Sequence, residues 1–408
     1  MLAIYFLFYI QANKLLFIIF KYTFYFQHLH ELHQDLPLAP ENVKITGEDL
    51  SEHASSLHTK FYGDRTYTSS KLTTTLLDKE NYTLHIYNLD LYTRLGMKVK
   101  RIHEVISFNQ SPFLREWVDK CTMKRRERQL AGDSFGRNFW KLMVNSVFGK
   151  FIENQMGRRQ IAFYSKESSL LKAFSSPRLL QADFMNESVV KVESIPRQIT
   201  LNRAIAVGVS ILELSKIPMY EFYYDVIQKV FGKRAGLLYM DTDSFILSIE
   251  SKNPWDELEP FKEKLDTSNF DKKHPLYSLS NASKLGCFKS ETGSDQILAF
   301  CGLKSKLYSL MIMKNGEVEE IKKGKGVPSR VLDRNFSFDN YLSCLLEDKE
   351  ERCKVERLLK RDHIIYQRGE ERKVMNSFDD KRFLLNCSIH SVPYGAKNLA
   401  NCCSCMSD

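Results

Sequence analysis

The sequence predicts an α+β fold from three patterns that lie far apart along the chain. Two apolar runs, residues 237–240 and 245–247, flank a polar tetrad at residues 241–244, as in a β-hairpin. Residues 134–149 place apolar and basic side chains at helical spacing. Residues 35–118 alternate β-like runs with helical stretches. Antiparallel strands are therefore expected to share one fold with long helices.

The polar tetrad of the hairpin carries two carboxylates, Asp241 and Asp243. Strand alternation alone places residues two apart on the same side. Two like charges held this close repel each other unless a cation lies between them, which favours Mg²⁺ or Mn²⁺. An Asp-x-Asp in a surface turn is common, but apolar flanks bury a hairpin and hold its acids rigidly. The pattern predicts a metal site suited to phosphoryl transfer.

A second motif is the helix predicted between residues 134 and 149. Asp133 or Ser134 is the expected N-cap, and Gly149 the expected stop. One face is apolar, through Phe135, Phe139, Leu142, Met143 and Val147.

The same helix has a polar stripe at four-residue spacing, formed by Arg137, Lys141 and Asn145. Arginine can bind a phosphate through two hydrogen bonds, and lysine adds a compact charge. Most charged helical stripes are simply solvated. Occurring together with the acidic turn, this one indicates a site for a triphosphate followed by a base or sugar.

Three runs resemble motifs of the family B DNA polymerases and occur in that family's order. Residues 141–149 (KLMVNSVFG) resemble the fingers motif Lys-x3-Asn-Ser-x-Tyr-Gly, with Phe148 in place of the tyrosine. Residues 239–244 (YMDTDS) resemble the palm motif, and residues 304–308 (KSKLY) resemble the Lys-x-Tyr element at the primer terminus. The resemblance implies a right-hand polymerase fold, with a palm of antiparallel sheet and helices, a helical fingers hairpin and a thumb.

Further runs resemble the protein-primed branch, especially polymerases of self-synthesising DNA transposons and related viruses. They are residues 28–41 (HLHELHQDLPLAPE), 95–98 (LGMK) and 377–383 (SFDDKRF). The resemblance spans roughly residues 27 to 397. It implies a DNA-directed DNA polymerase that transfers dNTPs to a primer 3′-hydroxyl with two Mg²⁺ or Mn²⁺ ions. The implied partners are a DNA primer–template, dNTPs and a terminal protein primer.

The resemblance also assigns roles to individual residues. Asp241 and Asp243 are the implied catalytic residues and metal ligands. The implied nucleotide-binding residues are Arg137 and Lys141 at the triphosphate, and Asn145 and Phe148 at the nascent base pair. The implied primer-binding residues are Lys304, Lys306 and Tyr308.

The chain divides by the same resemblance into seven segments. They are 1–26, an apolar segment expected to be foreign to the fold; 27–112, part of the palm with an insertion; 113–153, the fingers; 154–198, a second insertion; 199–335, the palm with the acidic hairpin; 336–397, a thumb with a charged helix near residues 345–360; and 398–408, a disordered Cys-rich tail. Within the palm, residues 199–230 are expected to be helical, with Leu201, Ala204, Ile205, Val209 and Leu212 packing under the sheet.

The sequence departs from the family in one respect that bears on activity. The first palm motif, Asp-x-x-x-Leu-Tyr, does not occur in the 408 residues, and its aspartate is the family's other principal metal ligand. Asp90-Leu91-Tyr92 has the wrong spacing and lies on the wrong side of residues 37–40. We therefore expect weak or no turnover from this chain alone. A DNA-binding remnant without turnover remains an alternative, as does a glycosyltransferase that uses Asp241 and Asp243 to bind a nucleotide sugar.

Charge and composition agree with a nucleic-acid partner. The net charge is +9, and residues 120–159 hold ten basic residues against three acids. This concentration of positive charge predicts a phosphate-binding surface. A second basic run, residues 322–330, is interpreted either as a DNA contact or as a solvated face.

The chain's two ends carry weaker signals. Residues 1–26 approach the length of a membrane span, but polar residues near the middle disfavour an anchor, and no cleavage site suggests a signal peptide. A mispredicted start or a broken gene is the preferred explanation, and no membrane partner is expected. Cys402, Cys403 and Cys405 are a weak zinc signal. Reduced thiols and a nuclear or cytoplasmic location, without secretion, are expected.

Overall fold

The computed structural model describes residues 14–24, 27–109, 111–282, 284–314, 316–361, 364–387 and 389–397. Helices are combined with small antiparallel sheets, so the predicted α+β class is confirmed. Among these residues, no helix is long and apolar enough to cross a membrane. The cysteine tail lies outside the described residues.

The first part of the chain contains two separate sheets. Its elements are β1 (Lys14–Phe24), α1 (Gln27–Leu32), β2 (Glu41–Thr46), α2 (Glu52–Tyr62), β3 (Thr68–Thr73), β4 (Lys79–His85), α3 (Ile86–Arg94) and β5 (Lys98–Asn109). Strand β1 is the centre of the sheet β4–β1–β5 and is antiparallel to both neighbours, while β2 pairs with β3. Residues 14–24, which we expected to be foreign to the fold, are thus paired on both edges.

Strand β4 ends at His85, where α3 begins. The His85 ring accepts a hydrogen bond from the Tyr87 amide at 3.3 Å and caps α3. Asp90 and Tyr92 lie on this helix, and Tyr92 is buried.

The helical pair expected as the fingers consists of α4 (Arg115–Leu130) and α5 (Ser134–Phe151). Gly132 adopts φ +71° in the connection, and the Asp133 carboxylate accepts a hydrogen bond from the Gly136 amide at 2.8 Å. Of the two predicted N-caps, Asp133 is therefore confirmed.

The predicted stop at Gly149 is wrong, because α5 continues to Phe151. Packing beyond the glycine carries the helix onward. The Phe151 ring contacts Phe113 edge-to-face with ring centroids 6.2 Å apart, and Ile152 lies directly over Gly208. Gly149 is not among the glycines with positive φ, so nothing local ends the helix there.

Residues 154–198 form a small module with its own sheet. It contains β6 (Gln160–Tyr164), α6 (Glu167–Phe174), β7 (Leu179–Phe184) and β8 (Val190–Ser194), with the strand order β6–β8–β7.

The following helical segment precedes the acidic hairpin. It consists of α7 (Ile205–Glu221), a π-helical turn (Phe222–Ile227) and α8 (Gln228–Phe231), followed by β9 (Ala235–Met240) and β10 (Phe245–Ile249). The prediction of which face of this segment packs under the sheet is wrong, since Leu201 and Ile205 are 72% and 58% exposed. The buried face instead carries Ile211, Leu214 and Ile217, because α7 packs against α3 and α5 along that side.

The C-terminal part is built mainly from β-hairpins. Its elements are α9 (Pro254–Leu258), β11 (Leu265–Asp266), β12 (Phe288–Lys289), β13 (Ile297–Lys304), β14 (Leu307–Lys314), β15 (Glu317–Gly324), α10 (Ser329–Asn335), α11 (Phe338–Leu346), β16 (Glu351–Arg361), β17 (Ile364–Met375), β18 (Phe383–Leu384) and β19 (Ser391–Val392). Strands β13, β14 and β15 form one antiparallel sheet.

The prediction of a charged helix near residues 345–360 is wrong. Helix α11 ends at Leu346, and β16 pairs with β17 in a long hairpin. Charged side chains of this run contact the other strand of the hairpin, as between Arg357 and Glu370 at 3.0 Å. Cross-strand pairs of opposite charge stabilise a hairpin in the way that i,i+4 pairs stabilise a helix.

Three groups of buried apolar side chains hold these elements. The first joins α3, α4, α5 and α7 with β9 and β10, and the second lies between the β13–β15 sheet, α10, α11 and the β16–β17 hairpin. The third packs Leu57 and Phe61 of α2 against Phe378. The first core therefore supports both the acidic hairpin and the base of α5.

Candidate functional site

The acid turn, residues 241–244, connects β9 to β10. The Asp241 amide donates to the Ser244 carbonyl at 3.1 Å, and the Ser244 amide donates to the Asp241 carbonyl at 3.2 Å. Thr242 adopts φ +58°, a left-handed conformation that tightens the turn. Asp241 is half-buried and Asp243 is exposed. The predicted hairpin is confirmed, and both acids lie on its turn.

A second turn, between β13 and β14, docks onto the acid turn. Lys306 occupies it with φ +62°, and its amide donates to the Tyr239 hydroxyl at 2.9 Å. The Lys306 ammonium donates to Asp241 Oδ2 at 2.5 Å. The rings of Tyr239 and Tyr308 have centroids 4.7 Å apart. The structure thus brings together the acidic motif and the Lys-x-Tyr motif.

The electrostatics of this contact favour a cation beside the acids. The hydrogen bond that Lys306 donates to Asp241 raises the pKa of Lys306, and the charge of Asp243 acts in the same direction. Burial raises the pKa values of Tyr239 and Tyr308. Lys306 therefore stays charged, and both tyrosines stay neutral hydrogen-bonding groups near neutral pH.

Lys304 belongs to the same motif but has a different partner. Its ammonium donates to the Asn376 side-chain oxygen at 3.1 Å, and its charge lowers the pKa of Asp379, although burial raises that pKa overall. It therefore connects β13 to the start of the 377–383 run. No hydrogen bond among the described residues joins Lys304 to the acid turn.

The basic stripe of α5 lies in solvent. Arg137, Lys141 and Asn145 are exposed, whereas Phe148 is half-buried and packs on the first core. Within the part of the chain that the structure describes, no hydrogen bond or ion pair connects the stripe to Asp241. The structure therefore does not bring the stripe and the acid turn into direct contact.

Sequence reasoning missed two residues at this site. Tyr239 was quoted only as the first residue of its motif, yet its hydroxyl holds the Lys306 turn. Asp35 lies in the 28–41 run, and its Oδ2 accepts a hydrogen bond from the Leu237 amide at 3.3 Å. Membership of a quoted run was the only signal for either residue.

The donor chemistry of the acid turn suits a divalent ion in part. Carboxylate oxygens are the hard ligands that Mg²⁺ and Mn²⁺ prefer, and the Lys306 ammonium already marks Asp241 as a cation contact. No group of three or more His, Cys, Asp or Glu side chains that could hold a metal is found among the described residues. Asp241 and Asp243 can therefore supply two ligands to a metal.

A comparison with family models adds evidence that is independent of the acid turn. The model described as DNA polymerase type B, organellar and viral, matches residues 24–228, about half of the 408-residue chain. The matched span contains the basic stripe of α5 and ends before the acid turn. No curated protein and no solved structure matches.

Proposed function

Because the chain belongs to the organellar and viral family of type B DNA polymerases, we propose that it serves template-directed transfer of dNTPs to a primer 3′-hydroxyl. The supporting observation is the contact between the two turns. Lys306 and Asp241 lie 65 positions apart in the chain, yet the ammonium and carboxylate are 2.5 Å apart. A lysine for the primer strand and a carboxylate for the reacting phosphate belong together at a primer terminus.

Each side chain has a physical task in this proposal. Asp241 and Asp243 hold the metal side of the site, and Tyr308 and Lys306 hold the primer strand. When bound, two Mg²⁺ or Mn²⁺ ions lower the pKa of the primer hydroxyl and neutralise charge on the departing pyrophosphate. Lys304, through its Asn376 contact, supports the strand that carries the primer-binding turn.

The exposed stripe of α5 is proposed to bind the incoming nucleotide. Arg137 and Lys141 would grip the triphosphate by charge-assisted hydrogen bonds. Asn145 and Phe148 would contact the nascent base pair, and Phe148 does so without the hydroxyl of the family's tyrosine. Because the stripe is exposed, its ligand can reach it without displacing another side chain.

Turnover by this chain alone is proposed to be weak. The acid turn offers two carboxylates, and the sequence contains no Asp-x-x-x-Leu-Tyr motif to supply another. One of the two is already paired with Lys306. This pairing favours a second candidate, a chain that binds primer–template without catalysing transfer. The family match gives no support to the glycosyltransferase alternative.

Priming by a terminal protein and a transposon or viral origin are proposed on the resemblance alone. The runs that support them are residues 28–41, 95–98 and 377–383. The 154–198 module is proposed, by the same resemblance, to be the second insertion of that branch.

The test is metal-dependent extension of a labelled primer on a DNA template, comparing the unmodified chain with Asp243→Ala. Salt-dependent binding of the same primer–template is measured on the same preparations. Extension in Mg²⁺ or Mn²⁺ that Asp243→Ala abolishes would support the polymerase. Binding without extension would favour the second candidate, and the absence of both would refute the two together.

A further inference from the structure

Three tyrosines of the helical segment before the acid turn donate hydrogen bonds to one short loop. We name Tyr220, Tyr223 and Tyr224 the tyrosine clamp. Their hydroxyls donate to three consecutive residues: Tyr223 to Asp35 Oδ2 at 3.0 Å, Tyr224 to the Leu36 carbonyl at 2.5 Å, and Tyr220 to the Pro37 carbonyl at 2.9 Å. All three rings are more than nine-tenths buried. The loop that follows α1 is therefore fixed to the helix beneath the acidic hairpin.

Asp35 differs from the other two loop residues because it binds through its side chain. Its Oδ2 also accepts a hydrogen bond from the Leu237 amide of β9 at 3.3 Å. Tyr223, in turn, accepts a hydrogen bond from the Gln228 side chain at 2.9 Å. One carboxylate oxygen thus joins the loop, the π-helical turn and the strand that leads to Asp241.

The contact lies beside a bulge in β9. Tyr239 pairs with Ile246, whereas Leu237 pairs with Leu247, so β9 has one extra residue, Leu238, at this point. Such a bulge disrupts the ladder locally and turns the strand. Asp35 therefore holds the amide on one side of the bulge, and Tyr239, which binds the Lys306 amide, lies on the other side.

A cation compensates the charge of Asp35. Burial lowers the pKa of the Arg382 guanidinium, which belongs to the 377–383 run. The charges of Asp35 and Asp379 raise the same pKa and so oppose this decrease. Arg382 itself donates to the hydroxyl and carbonyl of Ser391 at 2.9 and 3.0 Å. An ionised Asp35 strengthens both hydrogen bonds that it accepts, since charge-assisted bonds are roughly twice as strong as neutral ones.

We propose that Asp35 is a positioning residue for the acid turn. By holding the Leu237 amide at the bulge, its carboxylate fixes the register of β9 and hence the placement of Tyr239 and Asp241. The role of Asp241 in this inference rests on the proposed function, whereas the register effect does not.

The chain offers a matched control for a merely structural role. Tyr224→Phe deletes a buried hydroxyl and its hydrogen bond from the same clamp but leaves β9 untouched. Asp35→Ala deletes both bonds to the carboxylate, and Asp35→Asn keeps an acceptor oxygen but loses the charge. Comparing these variants separates loss of stability from loss of register.

Two measurements on the DNA-free chain test the proposal. Hydrogen exchange reports the amides of residues 237–243, and Mn²⁺ titration reports the acid turn, with Asp243→Ala identifying its signal. For Asp35→Ala we expect Mn²⁺ affinity to fall about tenfold, as for other groups that orient metal ligands. The Leu237 amide should exchange at least about tenfold faster, because its acceptor is gone. Asp35→Asn should show the same changes to a smaller extent.

Tyr224→Phe should leave both readouts unchanged at a comparable loss of melting temperature. Equal effects of Asp35→Asn and Tyr224→Phe, or no effect of either Asp35 variant, would overturn the proposal. If Asp35→Ala does not fold, Asp35→Asn decides. A chain that fails to extend primers or to bind Mn²⁺ but shows the amide effect would refute the proposed function and leave the register inference standing.

Discussion

The acid turn and the basic stripe of α5 are organised in different ways. At the acid turn, Asp241 accepts a hydrogen bond from the Lys306 ammonium at 2.5 Å, and the Tyr239 hydroxyl accepts one from the Lys306 amide at 2.9 Å. On α5, Arg137 and Lys141 extend into solvent. Like charges act on each other between α5 and α4, since the charge of Arg137 adds to burial in lowering the pKa of Arg125 on α4.

The difference concerns when each region acquires its partners. A carboxylate next to a lysine is compensated within the protein and keeps its geometry without ligand. Two arginines that repel each other are stabilised when an anion arrives. Changes at the acid turn should therefore be measurable in the empty protein, whereas changes in the stripe should appear only with nucleotide present.

The largest expected effect comes from the stripe. Lys141→Ala should weaken dNTP binding to the primer–template complex by about 10- to 100-fold, the effect of losing a hydrogen bond to a charged group. Titration with a fluorescent dNTP analogue measures it. Lys141→Arg should retain most of the affinity. A lower melting temperature for Lys141→Ala without nucleotide would contradict the contrast between the two regions.

Two glycines test how the stripe's helix is anchored. A Cβ at Gly208 would lie 2.1 Å from Ile152 Cγ2, whereas one at Gly149 meets nothing within 4 Å. Gly208→Ala should destabilise the fold by about 1–3 kcal/mol through overpacking. Gly149→Ala should stabilise it by about 0.5–1 kcal/mol, because alanine favours a helix interior. Urea unfolding measures both, and equal effects would show that α5 is not anchored through Ile152.

Lys306 tests whether the acid turn is compensated from within. Lys306→Met should tighten Mn²⁺ binding by the DNA-free chain about two- to fivefold, the effect of removing a competing ion pair worth up to about 1 kcal/mol. Lys306→Arg is the matched control and should bind Mn²⁺ as the unmodified chain does. Unchanged affinity in Lys306→Met would mean that lysine and metal do not compete for Asp241.

The smallest effect concerns acid stability at the base of α5. Hydrogen bonds from Lys150, Arg158 and Arg203 lower the pKa of Glu153 to about 2 from its usual 4.5. A lowered folded-state pKa gives stability that is present above pH 4.5 and is lost as the pH falls towards 2. Glu153→Gln should therefore melt lower at pH 6 and match the unmodified chain near pH 2. A constant difference across this range would exclude the linkage.

The sequence predicted features that depend on neighbouring residues. Asp133 caps a helix because its own carboxylate reaches the amide three residues ahead. The hairpin around the acid turn forms because apolar runs flank a polar tetrad. Family membership followed from motifs whose spacing is local. The roles of individual site residues remain predictions.

The errors arose where distant packing decides. Gly149 lies inside α5 because Ile152, further along the chain, rests on Gly208. The charged run after Leu346 became a strand because β17, which follows it in the chain, pairs with its backbone in an antiparallel ladder. The buried side of α7 was misjudged because packing against α3 and α5 determines it, and the periodicity of residues 201–212 does not. The contact of Asp35 with Leu237 spans 202 positions and had no local signal.

The third core has a consequence for synthesis on the ribosome. Leu57 and Phe61 of α2 are covered by Phe378, and the Tyr67 hydroxyl reaches Asp380, 313 positions later. At roughly 5–20 residues per second, the partner emerges tens of seconds after α2. During that time the apolar face of nascent α2 stays exposed to solvent. The chain can close this core only after Phe378 has left the ribosome, and chaperones that shield apolar helices should bind α2 until then.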